Sequence, residues 1–158
     1  MLGGTPRRLA ALAALMATVA CASRRAPPEV AYLTSPARAA ANPPYSEAVR
    51  VGDLLFLSGA LGVLPGRREL APGGIEGETR QTLENIKRVL EENGSSLERV
   101  VKCTVMLADV AEWEAMNRVY REYFPRNKPA RSALGVGGLV LGARVEIECI
   151  AAAGAPRP

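Results

Sequence analysis

The apolar residues change their spacing twice across the middle of the chain, and this limits the folds open to it. Between Glu76 and Asn93 they recur at helical intervals: Leu83, Ile86 and Leu90 share a face, Val89 lies beside it, and Leu97 extends the line. Gly94 follows, where helices commonly end on a left-handed residue. Glu84 and Arg88, four apart, can pair on the wet side. From Val100 to Leu107 the interval falls to two, with Val101, Cys103, Val105 and Leu107 on one side of a strand. Helical spacing then returns. Asp109 can cap a second helix, Glu112 sits three residues on, and Trp113, Met116, Val119, Tyr120 and Tyr123 form its stripe until Pro125 stops it.

Strands flank these helices. Ala48 to Val51 and Leu54 to Ser58 are separated by Gly52-Asp53, the spacing and chemistry of a β-hairpin, and Gly59 ends the second run. The Gly-, Pro- and charge-rich stretch from Pro65 to Gly74 reads as a loop. Ala130 to Val136 and Arg144 to Ala151 are the last strands, divided by the glycine-rich turn Gly137 to Gly142. Two helices cannot cover both faces of such a sheet. They pack on one face, which predicts an α+β two-layer sandwich. The other face stays partly apolar, and self-association is the simplest way to cover it. No internal repeat is visible.

The 158 residues argue for one domain after a leader. Residues 1–21 read as an export signal: Arg7 and Arg8 form a basic start, and the apolar run Leu9 to Ala20 is too short to span a membrane. Cys21 after small residues resembles a bacterial lipobox, although Thr18 replaces the usual leucine. Simple secretion by cleavage at Ala20-Cys21-Ala22, or an uncleaved start, are the alternatives. The expected location is therefore exported, either periplasmic or membrane-anchored as a lipoprotein, with membrane contact only through a lipid on Cys21. Residues 22–42 read as a linker, within which Val30 to Thr34 can form a short strand. The compact domain is expected over residues 43–153.

Lys and Arg outnumber Asp and Glu by only 20 to 16, and no basic stripe interleaved with aromatics occurs, so nucleic acid is not an expected partner. Phosphate-loop motifs are missing as well. The chain contains no histidine, which excludes a Ser-His-Asp system and, with so few thiols, makes a zinc site a poor fit; no metal or cofactor is expected. Cys103 and Cys149 lie in apolar runs and read as buried free thiols, although an oxidising compartment would permit a disulfide.

Without histidine, an arginine and a carboxylate become the candidates for chemistry. Arg131 stands in Pro129-Ala130-Arg131-Ser132, where a stiff backbone pre-organises a two-donor fork for a carboxylate. The plainer reading is a strand-edge charge or a subunit salt bridge. Glu146 and Glu148 alternate with Val145, Ile147 and Cys149, so both point to one face; one could serve as a general base, or both could simply be wet. Tyr45 in Pro43-Pro44-Tyr45-Ser46 is either a packing aromatic or a pocket wall. Asn117 beside Met116 is either a helix-edge residue or a pocket residue. Ser58-Gly59 could offer backbone N–H groups to an anion, or merely end a strand.

These blocks together resemble the RidA (YjgF/UK) family of enamine/imine deaminases. The resemblance runs from about Pro43 to Ala151. It rests on Pro43-Pro44-Tyr45-Ser46-Glu47-Ala48, Leu57-Ser58-Gly59, Thr79-Arg80-Gln81-Thr82-Leu83-Glu84-Asn85-Ile86, Val101-Lys102-Cys103-Thr104-Val105, Asn117-Arg118-Val119-Tyr120 and Tyr123-Phe124-Pro125. Pro129-Ala130-Arg131-Ser132 with Val145-Glu146-Ile147-Glu148-Cys149-Ile150-Ala151 is its most specific part. The resemblance implies a chorismate mutase-like fold with a mixed sheet, a homotrimer with sites in clefts between subunits, and cofactor-free hydrolysis of 2-imino acids to 2-keto acids. It implies that Arg131 binds the substrate carboxylate and Glu146 activates water. Tyr45 and Asn117 would line the pocket, and the backbone at Gly59 and Ala133 would donate hydrogen bonds. Ala133 stands where many relatives carry cysteine or a hydroxyl residue, and Ala60 where glutamine is common. Non-catalytic binding of a small carboxylate, or a chaperone-like role on the same scaffold, are the alternatives.

Overall fold

A computed structural model of the protein describes residues 26–154, so the leader expected over residues 1–21, with Cys21, lies outside the described residues. The sheet begins earlier than expected. Strand β1 (Val30–Leu33) pairs antiparallel with β2 (Ala48–Val51), and a single helical turn, α1 (Pro36–Ala39), leads from one towards the other. The stretch read as linker therefore belongs in part to the fold. Its strand signal is only four residues long, and the Pro36 after it reads as a break.

The β2–β3 hairpin forms as its turn predicts, with Gly52 at φ +56°, a conformation glycine adopts without a Cβ penalty. Strand β3 (Leu54–Leu57) continues, after an interruption, as β4 (Ala60–Leu61), and both lie antiparallel to β7 (Val145–Ala152). Strand β7 also pairs antiparallel with β5 (Val100–Leu107), and β5 pairs in parallel with β6 (Ala130–Gly135). The order β1-β2-β3-β7-β5-β6 makes a mixed sheet with β6 on one edge.

Helix α2 (Gly74–Glu92) lies against β4 and β7, and α3 (Trp113–Tyr123) packs on α2. Leu83, Ile86 and Leu90 are fully buried, and each such side chain contributes roughly 1.5–3 kcal/mol relative to an exposed one. They meet Leu55, Val105, Leu107, Val145 and Ile147 from the sheet, together with Met116 and Phe124 from and just beyond α3. Asp109 accepts a hydrogen bond from the Ala111 N–H at 2.9 Å and caps the turn that leads into α3. Arg88 does not pair with Glu84. It reaches Glu92 at 2.9 Å and Glu47 at 3.4 Å, while the Tyr123 hydroxyl donates to Glu84 at 2.7 Å.

Two expectations about β5 fail. A register shift between Val100 and Lys102 turns Val100 into the core and leaves Val101 49% exposed. Cys103 and Cys149 are not free thiols; they are directly opposed on β5 and β7 and joined as a disulfide within the core. Period-two spacing shows that both are buried, but not that two strands distant in sequence lie side by side.

The sheet's second face carries no helix layer. It presents Leu54, Phe56 and Leu134, each about 40% exposed, with half-buried Met106 and Ile150 among them.

Candidate active site

Three residues of the β3–β4 strand, Leu57 to Gly59, face only two of β7, Glu148 and Cys149, so the interruption is a β-bulge. Such an extra residue bends its strand and re-aims what lies beside it. The Ser58 hydroxyl donates to the Ser46 carbonyl at 2.7 Å and ties the bulge to the segment carrying Tyr45. Gly59 then lies under the Glu146 side chain: a Cβ built there would stand 1.9 Å from Glu146 Oε1. The carboxylate lies where a side chain at this position would go, so a Cβ there would displace Glu146 from its present pose.

Glu146 pairs across the sheet with Met106 on β5 and with Leu61 on β4, and its side chain is half-buried on the face without helices. Burial, and beyond it the Glu148 carboxylate two residues along, hold its carboxyl above the ordinary glutamate value. Glu148 lies on the same face, as period-two spacing predicts, and is exposed. Tyr45, 48% exposed, lies in the loop ahead of β2 and lines a wide cleft of about 640 Å³ that also includes Ser46 and Ser58.

Arg131 belongs to the other side. It is aligned with Cys103 in the β5–β6 register, so it projects toward the helix layer from the edge strand. Its guanidinium lies 4.7 Å from the Tyr120 ring centroid and 5.8 Å from that of Trp113. Among the described residues no carboxylate pairs with it. Trp113, Asn117 and Tyr120 are spaced by four and three residues and share one face of α3. Asn117 is 4% exposed, and among the described residues its side-chain amide has no hydrogen-bond partner. The Tyr120 hydroxyl is also buried without a hydrogen-bond partner among the described residues; burial pushes its phenol up to about 12, with the Arg131 charge opposing. Ala133, two residues beyond Arg131, follows on the same side of β6 and is exposed.

The residues singled out from the sequence therefore form two groups. Tyr45, Gly59 and Glu146 gather around the bulge, whereas Arg131, Ala133 and Asn117 gather at the α3–β6 edge. The chain does not bring Arg131 and Glu146 together, because the sheet separates them. Trp113 and Tyr120 were read only as packing residues. The signal available was their spacing about Asn117, which puts a polar side chain in the middle of an apolar stripe. Among the described residues no group of three or more His, Cys, Asp or Glu side chains is placed to hold a metal ion.

The comparisons with known proteins agree with this architecture. The goat protein named 2-iminobutanoate/2-iminopropanoate deaminase is 46% identical over 111 residues, covering 70% of this chain and 81% of that protein. The chloroplastic Reactive Intermediate Deaminase A of Arabidopsis thaliana is 44% identical over 108 residues, covering 68% of this chain and 58% of that protein. A crystal structure of the yeast protein YEO7 superposes with a TM-score of 0.73 at 41% identity, over 80% of this chain and all of that one. The family model described as Endoribonuclease L-PSP matches residues 35–153, and the chain belongs to that family, the YjgF/RidA family its motifs resemble.

Proposed function

We propose that the protein hydrolyses reactive 2-imino acids to 2-keto acids and ammonia. The observation that carries this reading is a guanidinium with no carboxylate partner, held between two aromatic rings. Such a fork is preorganised for a small carboxylate. The 40–46% identity to proteins named as imine deaminases supports the same reading. In this mechanism Arg131 grips the substrate carboxylate. Glu146, whose carboxyl is held above the ordinary value by burial, is a stronger proton acceptor than a free glutamate. It takes a proton from water as the water oxygen bonds to the imine carbon. The proton passes to nitrogen, and as the C–N bond breaks and ammonia leaves, Glu146 takes the remaining hydroxyl proton, so that a ketone is left. A protonated imine is already electrophilic, so orientation supplies most of what the step needs. The RNA chemistry in the family's description has less support here, since the charge is nearly balanced and no histidine is present.

The two half-sites lie on opposite sheet faces, which favours an assembly in which Arg131 of one copy approaches Glu146 of another. The uncovered apolar face favours a homotrimer with its sites between copies. Arg131→Ala should lower kcat/KM by about 100- to 1000-fold, as expected for loss of a bidentate charged contact. Mixing Arg131→Ala and Glu146→Gln subunits should restore activity at about one quarter of the sites. Undiminished turnover by Arg131→Ala removes the anchor, and no recovery on mixing removes the shared site. Ligand binding without ammonia release would leave the non-catalytic reading.

Export belongs to the same proposal. The basic and apolar leader and Cys21 support it, as does the Cys103–Cys149 disulfide, since such bonds persist in oxidising compartments. Mass spectrometry of the mature N-terminus distinguishes a lipidated Cys21, a free cleaved end and an intact leader.

A further inference from the structure

Among the described residues no carboxylate pairs with the Arg38 guanidinium, which stands beside the cleft that Tyr45 lines. Helix α1 is fixed from behind: the Ser35 N–H at its start donates to Glu47 Oε2 at 2.6 Å, and Glu47 is itself held by Arg88 at 3.4 Å. This brings the Arg38 guanidinium 5.5 Å from the Tyr45 ring centroid, with Nη2 donating to the Tyr45 hydroxyl oxygen at 2.5 Å. Among the described residues that phenol oxygen is the only hydrogen-bond partner of the Arg38 guanidinium. A phenol oxygen that accepts from a guanidinium has its own proton free to donate elsewhere, and the donation is strengthened. The cleft below is lined by Tyr32, Pro44, Tyr45, Ser46, Val49 and Ser58, and no acidic side chain lines it. It connects through Ser58 to the bulge at Gly59 that positions Glu146.

We infer that Arg38 and the Tyr45 hydroxyl form a second anion anchor, which selects 2-imino acids bearing a carboxylate on their side chain. The inference rests on the deaminase reading, in which the 2-carboxylate belongs to Arg131. A substrate spanning the site from Arg131 past Glu146 would then place its far end in the cleft that Tyr45 lines, beside the Arg38 guanidinium. Apolar side chains would gain nothing from that charge and would leave it hydrated.

The test compares ammonia release from imino acids formed in situ from glutamate and from leucine. The wild type should prefer the glutamate-derived imine. Arg38→Gln should raise KM for that substrate by roughly tenfold or more, the loss of one charge-assisted contact, with kcat and the leucine-derived reaction unchanged. Arg38→Lys should recover part of the loss. Equal effects of Arg38→Gln on both substrates, or a wild type that favours the leucine-derived imine, overturn the inference. If neither imine releases ammonia, the deaminase reading fails by itself. Calorimetry with 2-oxoglutarate then decides the anchor: binding weakened by Arg38→Gln supports it, and unchanged binding overturns it.

Discussion

The two halves of the candidate site are held in place by different means. Arg131 is positioned by side chains: its charge lies against Tyr120 and Trp113, and the strand beneath it is an edge strand. Glu146 is positioned by backbone: a bulge of three residues against two, and a glycine with no room for a Cβ. A position set by packing should weaken by degrees as contacts are removed. A position set by backbone geometry should depend most on one residue, here the glycine over which the carboxylate lies.

The largest effect is therefore expected at Gly59. In Gly59→Ala the added methyl and the Glu146 carboxylate cannot share one space, and activity should fall by about 100-fold or more, with the loss in kcat. Circular dichroism should show an intact fold, since Gly59 is exposed and outside the core. Full activity in Gly59→Ala would end the argument for backbone control. Trp113→Ala should cost less. Removing one of two rings from Arg131 forfeits about 0.5–2 kcal/mol, or roughly 2- to 30-fold, and this should appear in KM. If Trp113→Ala proved the more damaging variant, the contrast between the two halves would be reversed.

The smallest effect is a displacement in pH. Burial and then the Glu148 charge raise the Glu146 carboxyl, so the ionised base is present only above that raised value. Activity should rise with pH through it, and Glu148→Gln should move this acid limb of kcat/KM downward without abolishing turnover. The stability linkage has the matching sign. A carboxyl raised in the folded state favours folding at low pH, and that contribution is lost as pH rises through the folded value. Glu146→Gln should accordingly be inactive and no less stable at neutral pH. An acid limb unmoved by Glu148→Gln would show that the second carboxylate does not act on the first.

Local chemistry made much of the fold legible. Gly52-Asp53 announced its hairpin, and the periodicity from Glu76 to Asn93 located α2 within two residues. The misreadings fall where pairing partners decide the outcome. Val101 has the right parity for the core until the register shift beside it reverses the alternation. Val30 to Thr34 reads correctly as a possible strand, but its place in the sheet rather than in a linker depends on β2 accepting it. Cys103 and Cys149 were recognisable as buried, but their adjacency depends on β7 crossing back beside β5. At the site, the residue types were visible and their faces were not. The parallel pairing of β6 and the antiparallel pairing of β7 send Arg131 and Glu146 to opposite sides of the sheet. No single strand carries that information. Trp113 and Tyr120 were hidden for a different reason: an aromatic stripe that also grips a cation has the same spacing as one that only packs.

The covalent link between β5 and β7 has a mechanical consequence. If β7 slipped by one residue along β5, Glu146 would swing inward among the leucines and Ile147 would swing out, while hydrogen bonding along the ladder could largely re-form. The bond between Cys103 and Cys149 acts as a rivet against this, because it admits only the one alignment in which those two residues stand opposite each other. Glu146 owes its facing to this link, whereas Arg131, in the same transverse row on β6, owes its own to the parallel β5–β6 pairing.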